Sequence, residues 1–101
     1  MDTDKKTNPA AAATLTRDVT VLNRYGIHAR PAALLVKAAT GFACEILLEK
    51  NGVKVNAKSI MGLLTLEGNH GAKLKIHAAG ADAAAAVAAL ADLFERKFFE
   101  D

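Results

Sequence analysis

Apolar side chains alternate with polar ones in four separate stretches, cleanly in three of them, and this alternation constrains the fold more than any other feature of the chain. Leu15, Val19 and Val21 alternate with Thr16, Asp18 and Thr20, Cys44, Ile46 and Leu48 with Glu45 and Glu49, and Leu74, Ile76 and Ala78 with Lys73, Lys75 and His77. The fourth run, Val53, Val55 and Ala57, follows Asn51-Gly52, a pair suited to a two-residue turn, so the second and third strands read as a hairpin. Successive side chains of a strand point to opposite faces, so the pattern requires a sheet with one covered and one wet face. The helices must then lie on the covered side.

The covering elements can also be read. The Ala-rich segment from Ala29 to Thr40 reads as a helix with Pro31 in its first turn, where a missing amide proton costs little, and Gly41 as its stop. Ser59 is suited to cap a short helix carrying Ile60, Met61, Leu63, Leu64 and Leu66, with Ile60 and Leu63 as the core pair and Gly68 and Gly71 closing it. Residues 81–99 read as an amphipathic helix bearing Val87, Leu90, Phe94 and Phe98. The order βαββαβα predicts an α+β fold, a two-layer open-faced β-sandwich. Hydrophobic residues make up 51% of the 101, enough for one core. Residues 1–13 carry no apolar period and read as a flexible N-terminal extension, and residues 14–101 as the one domain.

Charge and cysteine usage narrow the class further. With 13 Lys plus Arg against 11 Asp plus Glu and no dense basic run, nothing points to nucleic acid as a partner. The single cysteine, Cys44, excludes an internal disulfide and shares the buried phase with Ile46 and Leu48, as an inert core thiol would. A secretory segment and an apolar run of about 18 residues are both missing, so the expectation is a soluble cytoplasmic protein without membrane insertion. His70, in a Gly-flanked loop, and His77, on the wet phase of a strand, read as surface residues. The three histidines lack the spacing of a metal site.

The chemistry is concentrated in Gly26-Ile27-His28-Ala29-Arg30-Pro31, which places an imidazole at the entry to a helix with a guanidinium two residues on. Backbone amides at a helix start point toward an anion, the helix dipole favours negative charge there, and Arg30 can neutralise a phosphate. A neutral imidazole offers a free ring nitrogen near neutral pH and can act as a covalent relay. Taken alone, His28 would be read as a polar residue flanking a helix and Arg30 as a solvated charge. An independent hydrolase using His28 as general base would need a nucleophile or carboxylate partner that no local motif supplies.

Two motifs at a fixed separation change that reading. GIHARP around His28 and NAKSIMGLLTL around Ser59, within the βαββαβα order, resemble the HPr family, the histidine-containing phosphocarriers of the bacterial phosphoenolpyruvate-dependent sugar phosphotransferase system, over roughly residues 14–99. The resemblance implies an antiparallel sheet ordered 1-4-2-3 with three helices on one face. It implies that His28 takes a phosphoryl group from Enzyme I through its δ nitrogen and passes it to EIIA domains, with Arg30 stabilising the charge and Ala29 contributing backbone. It also implies regulatory phosphorylation of Ser59 by an HPr kinase/phosphorylase, with a regulatory protein as a further partner, and a partner-binding patch formed by Ala33, Met61 and Leu64. The expected protein is a monomeric, stoichiometric carrier without a cofactor, rather than a free-standing enzyme. Three features depart from the family pattern: the extension is long, Glu67 stands where glycine is common, and His70 stands where a basic residue often precedes Gly71. The ending LFERKFFED resembles the nitrogen-related branch, whose members act as regulatory interaction proteins, which is the alternative reading of function.

Overall fold

The four alternating stretches pair into one sheet. In the computed structural model, which describes residues 14–100, the strands β1 (Leu15–Thr20), β2 (Glu45–Lys50), β3 (Val53–Asn56) and β4 (Lys73–Ala79) are all antiparallel and ordered β1-β4-β2-β3. The expected extension, residues 1–13, lies outside the described residues, as does residue 101. Three α-helices, α1 (Ala29–Thr40), α2 (Ile60–Thr65) and α3 (Ala83–Glu95), complete the open-faced sandwich of the expected order.

Register aligns the apolar phases across the sheet. Ile46 lies opposite Ala78, Leu48 opposite Ile76, and Val19 opposite Leu74. Ile46, Leu48 and Ile76 are fully buried, and the helices add Leu35 from α1, Leu63 from α2, and Leu90 and Phe94 from α3. Each such side chain contributes about 1.5 to 3 kcal/mol on burial, so this layer is the main source of stability. Cys44 belongs to the same core. Burial pushes its thiol above the ordinary range and the adjacent Asp82 carboxylate adds to the effect, which makes it a poor nucleophile. Leu15, read as a covered residue, is instead exposed, because β1 is an edge strand and its first half lies beyond the covered area.

The turns follow the residues that need unusual backbone. Asn51 and Gly52 have φ of 51° and 84°, the two left-handed positions of a type I′ hairpin. Helix α1 ends at Gly41 with φ of −74°, so this glycine stops the helix without using the left-handed cap that glycine would permit. Helix α2 is shorter than expected: it ends at Thr65, and the left-handed residue after it is Glu67, with φ of 58°, rather than a glycine. Gly68 is reached only after that turn. Left-handed backbone costs a non-glycine residue about 1 to 2 kcal/mol, and glycine's extra freedom in the unfolded chain offsets part of any relief. Glu67→Gly is therefore expected to stabilise the domain by about 0.5 to 1 kcal/mol and to raise Tm by about 3 °C or more in thermal denaturation.

Helix α3 also stops short of the expected residue 99. After Glu95 the chain makes a tight turn in which Lys97, Phe98 and Phe99 have φ of 54°, 53° and 60°. This turn reverses the chain so that Phe98, fully buried, packs edge-on against Phe94 with ring centroids 5.0 Å apart. On the open face, His77 is half-buried rather than free, because its Nε2 meets Glu49 Oε1 at 2.6 Å across β4 and β2. His70 is exposed, with its Nδ1 3.2 Å from the Asn23 carbonyl oxygen.

Candidate functional site

Three local features display His28. The turn before it needs Gly26: φ is +69°, and a Cβ there would lie 2.3 Å from the Gly68 carbonyl oxygen. Ile27 is buried, and its amide donates to that same carbonyl at 2.8 Å, which ties the loop down. His28 then takes the N-cap position of α1 with extended backbone and makes no side-chain cap bond, so its ring is left for other uses. The first helical hydrogen bond runs from the Ala32 amide to the His28 carbonyl at 3.0 Å, which places the amides of Ala29 and Arg30 ahead of the helical ladder. This is the geometry of an anion site at a helix start.

Side chains from the far end of the chain complete the site. Glu100 Oε1 lies 3.0 Å from His28 Nε2 and accepts from Asn23 Nδ2 at 2.9 Å. Arg30 Nη1 donates to the Phe98 carbonyl at 2.8 Å and to Glu100 Oε2 at 3.3 Å. The His28 and Arg30 side chains remain 43% and 53% exposed, so both are within reach of a partner. Tyr25 stands edge-on to the imidazole with centroids 6.4 Å apart. The hydrogen bond from His28 is the main cause that holds the Glu100 carboxyl below its usual range; the Asn23 bond also lowers it, and desolvation opposes both. Glu100 is therefore ionised at neutral pH and can only accept hydrogen bonds.

The structure thus brings His28 and Arg30 together and adds Glu100, Asn23, Tyr25 and the Phe98 carbonyl, none of which sequence reasoning singled out. No local motif signals Glu100, which is 72 residues from His28 in the chain. Of the other candidates, Ala29 and Ala33 are exposed on α1. Met61 is 70% exposed and Leu64 38%, on α2, which packs beside α1. Ile60, expected in the core, is 42% exposed, because only Leu63 faces inward on a helix this short. It joins Met61 and Leu64 on the outer surface. Ser59 caps α2 as expected, with Oγ accepting from the Gly62 amide at 3.1 Å, and it is not among the groups that touch His28.

Comparison with known proteins supplies the family. The family model described as the PTS HPr component phosphorylation site matches residues 15–96. The chain is 46% identical over 85 residues to the phosphocarrier protein HPr of Treponema pallidum (strain Nichols), covering 84% of this chain and 97% of that one. The chain belongs to the HPr family. Two solved HPr structures from Thermoanaerobacter tengcongensis agree in fold. One, HPr-C-His, has a TM-score of 0.83 at 45% identity and covers 86% of this chain and 98% of that chain. The other, an HPr dimer, has a TM-score of 0.68 at 48% identity and covers 79% and 92%. As a member of the HPr family the chain is a phosphocarrier of the phosphotransferase system, a task carried out through interaction with the enzymes of that system. Among the described residues no helix is long and apolar enough to cross a membrane, and no group of three or more metal-capable side chains occurs.

Proposed function

We propose that His28 is the phosphoryl acceptor, charged by Enzyme I and discharged to EIIA domains, in a cytoplasmic, monomeric carrier domain spanning residues 14–101. The observation that carries this reading is an exposed imidazole at the N-cap of α1 whose Nδ1 has no hydrogen bond among the described residues. In the transfer, an electron pair on Nδ1 forms the new N–P bond while the donor's bond to phosphorus breaks and its pair leaves with the donor atom. The amides of Ala29 and Arg30 and the Arg30 guanidinium meet the phosphoryl oxygens. The carrier is consumed and regenerated once per transfer, so it acts stoichiometrically rather than as a free-standing enzyme. Incubation with phosphoenolpyruvate and purified Enzyme I, followed by intact-mass measurement, tests the reading: one acid-labile phosphoryl group per chain is expected, and none would overturn it.

Arg30 contributes charge in addition to the backbone donors. Arg30→Ala is expected to slow transfer in both directions by about tenfold without abolishing it, since the helix-start amides remain, and single-turnover rates with Enzyme I check this.

Ser59 is the second site of the proposal, a regulatory phosphorylation position beside the apolar surface of Ile60, Met61 and Leu64. Ser59→Asp retains an oxygen acceptor for the cap and adds a charge that the helix dipole favours, so stability should change by less than about 1 kcal/mol. Docking should respond more strongly, because a partner must bury the neighbouring apolar residues against a new negative charge. The apparent KM for this carrier with Enzyme I is expected to rise about tenfold, roughly 1.4 kcal/mol. An unchanged KM alongside a large loss of Tm would leave Ser59 as a helix cap only.

A further inference from the structure

We infer that Glu100 is a positioning residue for His28, holding the ring proton on Nε2 so that the electron pair of the neutral imidazole is presented on Nδ1. The inference rests on the reading that His28 accepts the phosphoryl group, and goes beyond it by assigning a part to the end of the chain.

An ionised carboxylate can only accept, so the 3.0 Å contact between Glu100 Oε1 and His28 Nε2 requires the hydrogen on Nε2. The carboxylate is itself located by Asn23, which is fully buried. Asn23 Nδ2 donates to the Gly26 carbonyl at 2.7 Å and to Glu100 Oε1 at 2.9 Å. Turning the amide over would point its oxygen at a carbonyl and a carboxylate, so these two partners determine its orientation. The Gly26 carbonyl also accepts the His28 amide at 3.0 Å, so the backbone carrying the imidazole and the carboxylate orienting it are referred to one atom. Asn23 Oδ1 is buried without a partner among the described residues. An orphaned acceptor of this kind is unfavourable, and it accompanies an amide whose donor end is fully used at the site.

The arrangement follows the logic of a nucleophile or base oriented by a carboxylate behind it. During transfer the pair on Nδ1 forms the N–P bond, the pair of the donor's broken bond departs with the donor atom, and Nε2 keeps its proton. Positive charge that develops on the ring is then met by Glu100. The other charged or titratable groups facing the imidazole are Arg30, which binds the second carboxylate oxygen, and Arg24 and Tyr25, which line the same cleft with Glu100.

The test uses the full chain as wild type, Glu100→Gln and Glu100→Ala, with 15N-labelled histidine. Ring spectra at pH 8 should show wild-type His28 protonated at Nε2. Glu100→Gln should keep that form, because the amide oxygen still accepts, while Glu100→Ala should relax toward the tautomer mixture of a solvated histidine. With Enzyme I, Glu100→Ala should lower kcat about tenfold with little change in KM, and Glu100→Gln should fall between. Identical ring spectra in wild type and Glu100→Ala would overturn the inference, whatever the rates. If wild type took up no phosphoryl group on His28, the proposed function would fail, while the ring spectra would still decide whether Glu100 sets the tautomer.

Discussion

Replacing His28 with alanine is expected to abolish phosphoryl uptake from Enzyme I while leaving the domain folded. The imidazole makes no cap bond and its side chain is 43% exposed, so its removal deletes exposed contacts with Glu100 and Tyr25 and no core packing. Changes at such positions alter stability by less than about 1 kcal/mol, a few degrees in Tm. Chemistry responds without that tolerance. His70 is held toward the Asn23 carbonyl and His77 toward Glu49, and neither stands at a helix start, so no other described histidine can substitute. Intact-mass measurement of His28→Ala after incubation with donor, beside a thermal melt, separates the two effects. Wild-type levels of acid-labile phosphate in the variant would remove His28 from its assigned role.

Phe98→Ala is expected to produce the largest loss of stability among the residues near the site. Phe98 is fully buried against Phe94, and removing a buried phenyl ring costs about 3 to 5 kcal/mol, against a total of about 5 to 15 kcal/mol for a domain. The corresponding fall in Tm is about 12 °C or more. A second consequence is local. Three successive residues, Lys97 to Phe99, hold left-handed backbone that is unfavourable for side chains other than glycine, and the Phe98 ring and the bond from Arg30 to its carbonyl keep the turn in place. Without the ring the turn should open and take Glu100 away from His28. Calorimetry should show the loss of stability. Ring spectra of His28 in Phe98→Ala, recorded well below its melting temperature, should resemble those of Glu100→Ala. A melting temperature within a few degrees of wild type would show that the aromatic pair does not anchor the end of the chain.

What is legible in this sequence and what is not divide along a physical line. Alternation at Ile46, Leu48, Leu74, Ile76 and Ala78 could be read because strand periodicity and burial on one face are local consequences of backbone geometry, and each of these residues is buried. Asn51-Gly52 and Ser59 could be read for the same reason, since a type I′ turn and a helix cap are settled within a few residues. The exposure of Ile60 is not legible locally, because which residue of a six-residue helix faces inward depends on how that helix is set on the sheet. The end of α3 at Glu95 is not legible either, because Lys97, Phe98 and Phe99 are ordinary helix-compatible residues. Only the packing of Phe98 against Phe94 and the pull of Arg30 on its carbonyl turn the chain there.

By itself the sequence determined the strand and helix order, the covered face of the sheet, the hairpin, the cap at Ser59, and the placement of His28 and Arg30 at a helix start. All of these are matters of spacing within a dozen residues, where backbone geometry and hydrophobic period leave few alternatives. The tertiary structure alone decided the other half of the site. The pairing of β1 with β4, and the packing of α3 over both strands and beside α1, carry the end of the chain to the start of α1, where Glu100 meets both the imidazole and Asn23. A contact across 72 residues costs chain entropy that no local pattern can offset, so it exists only once the core has formed and holds both segments in place.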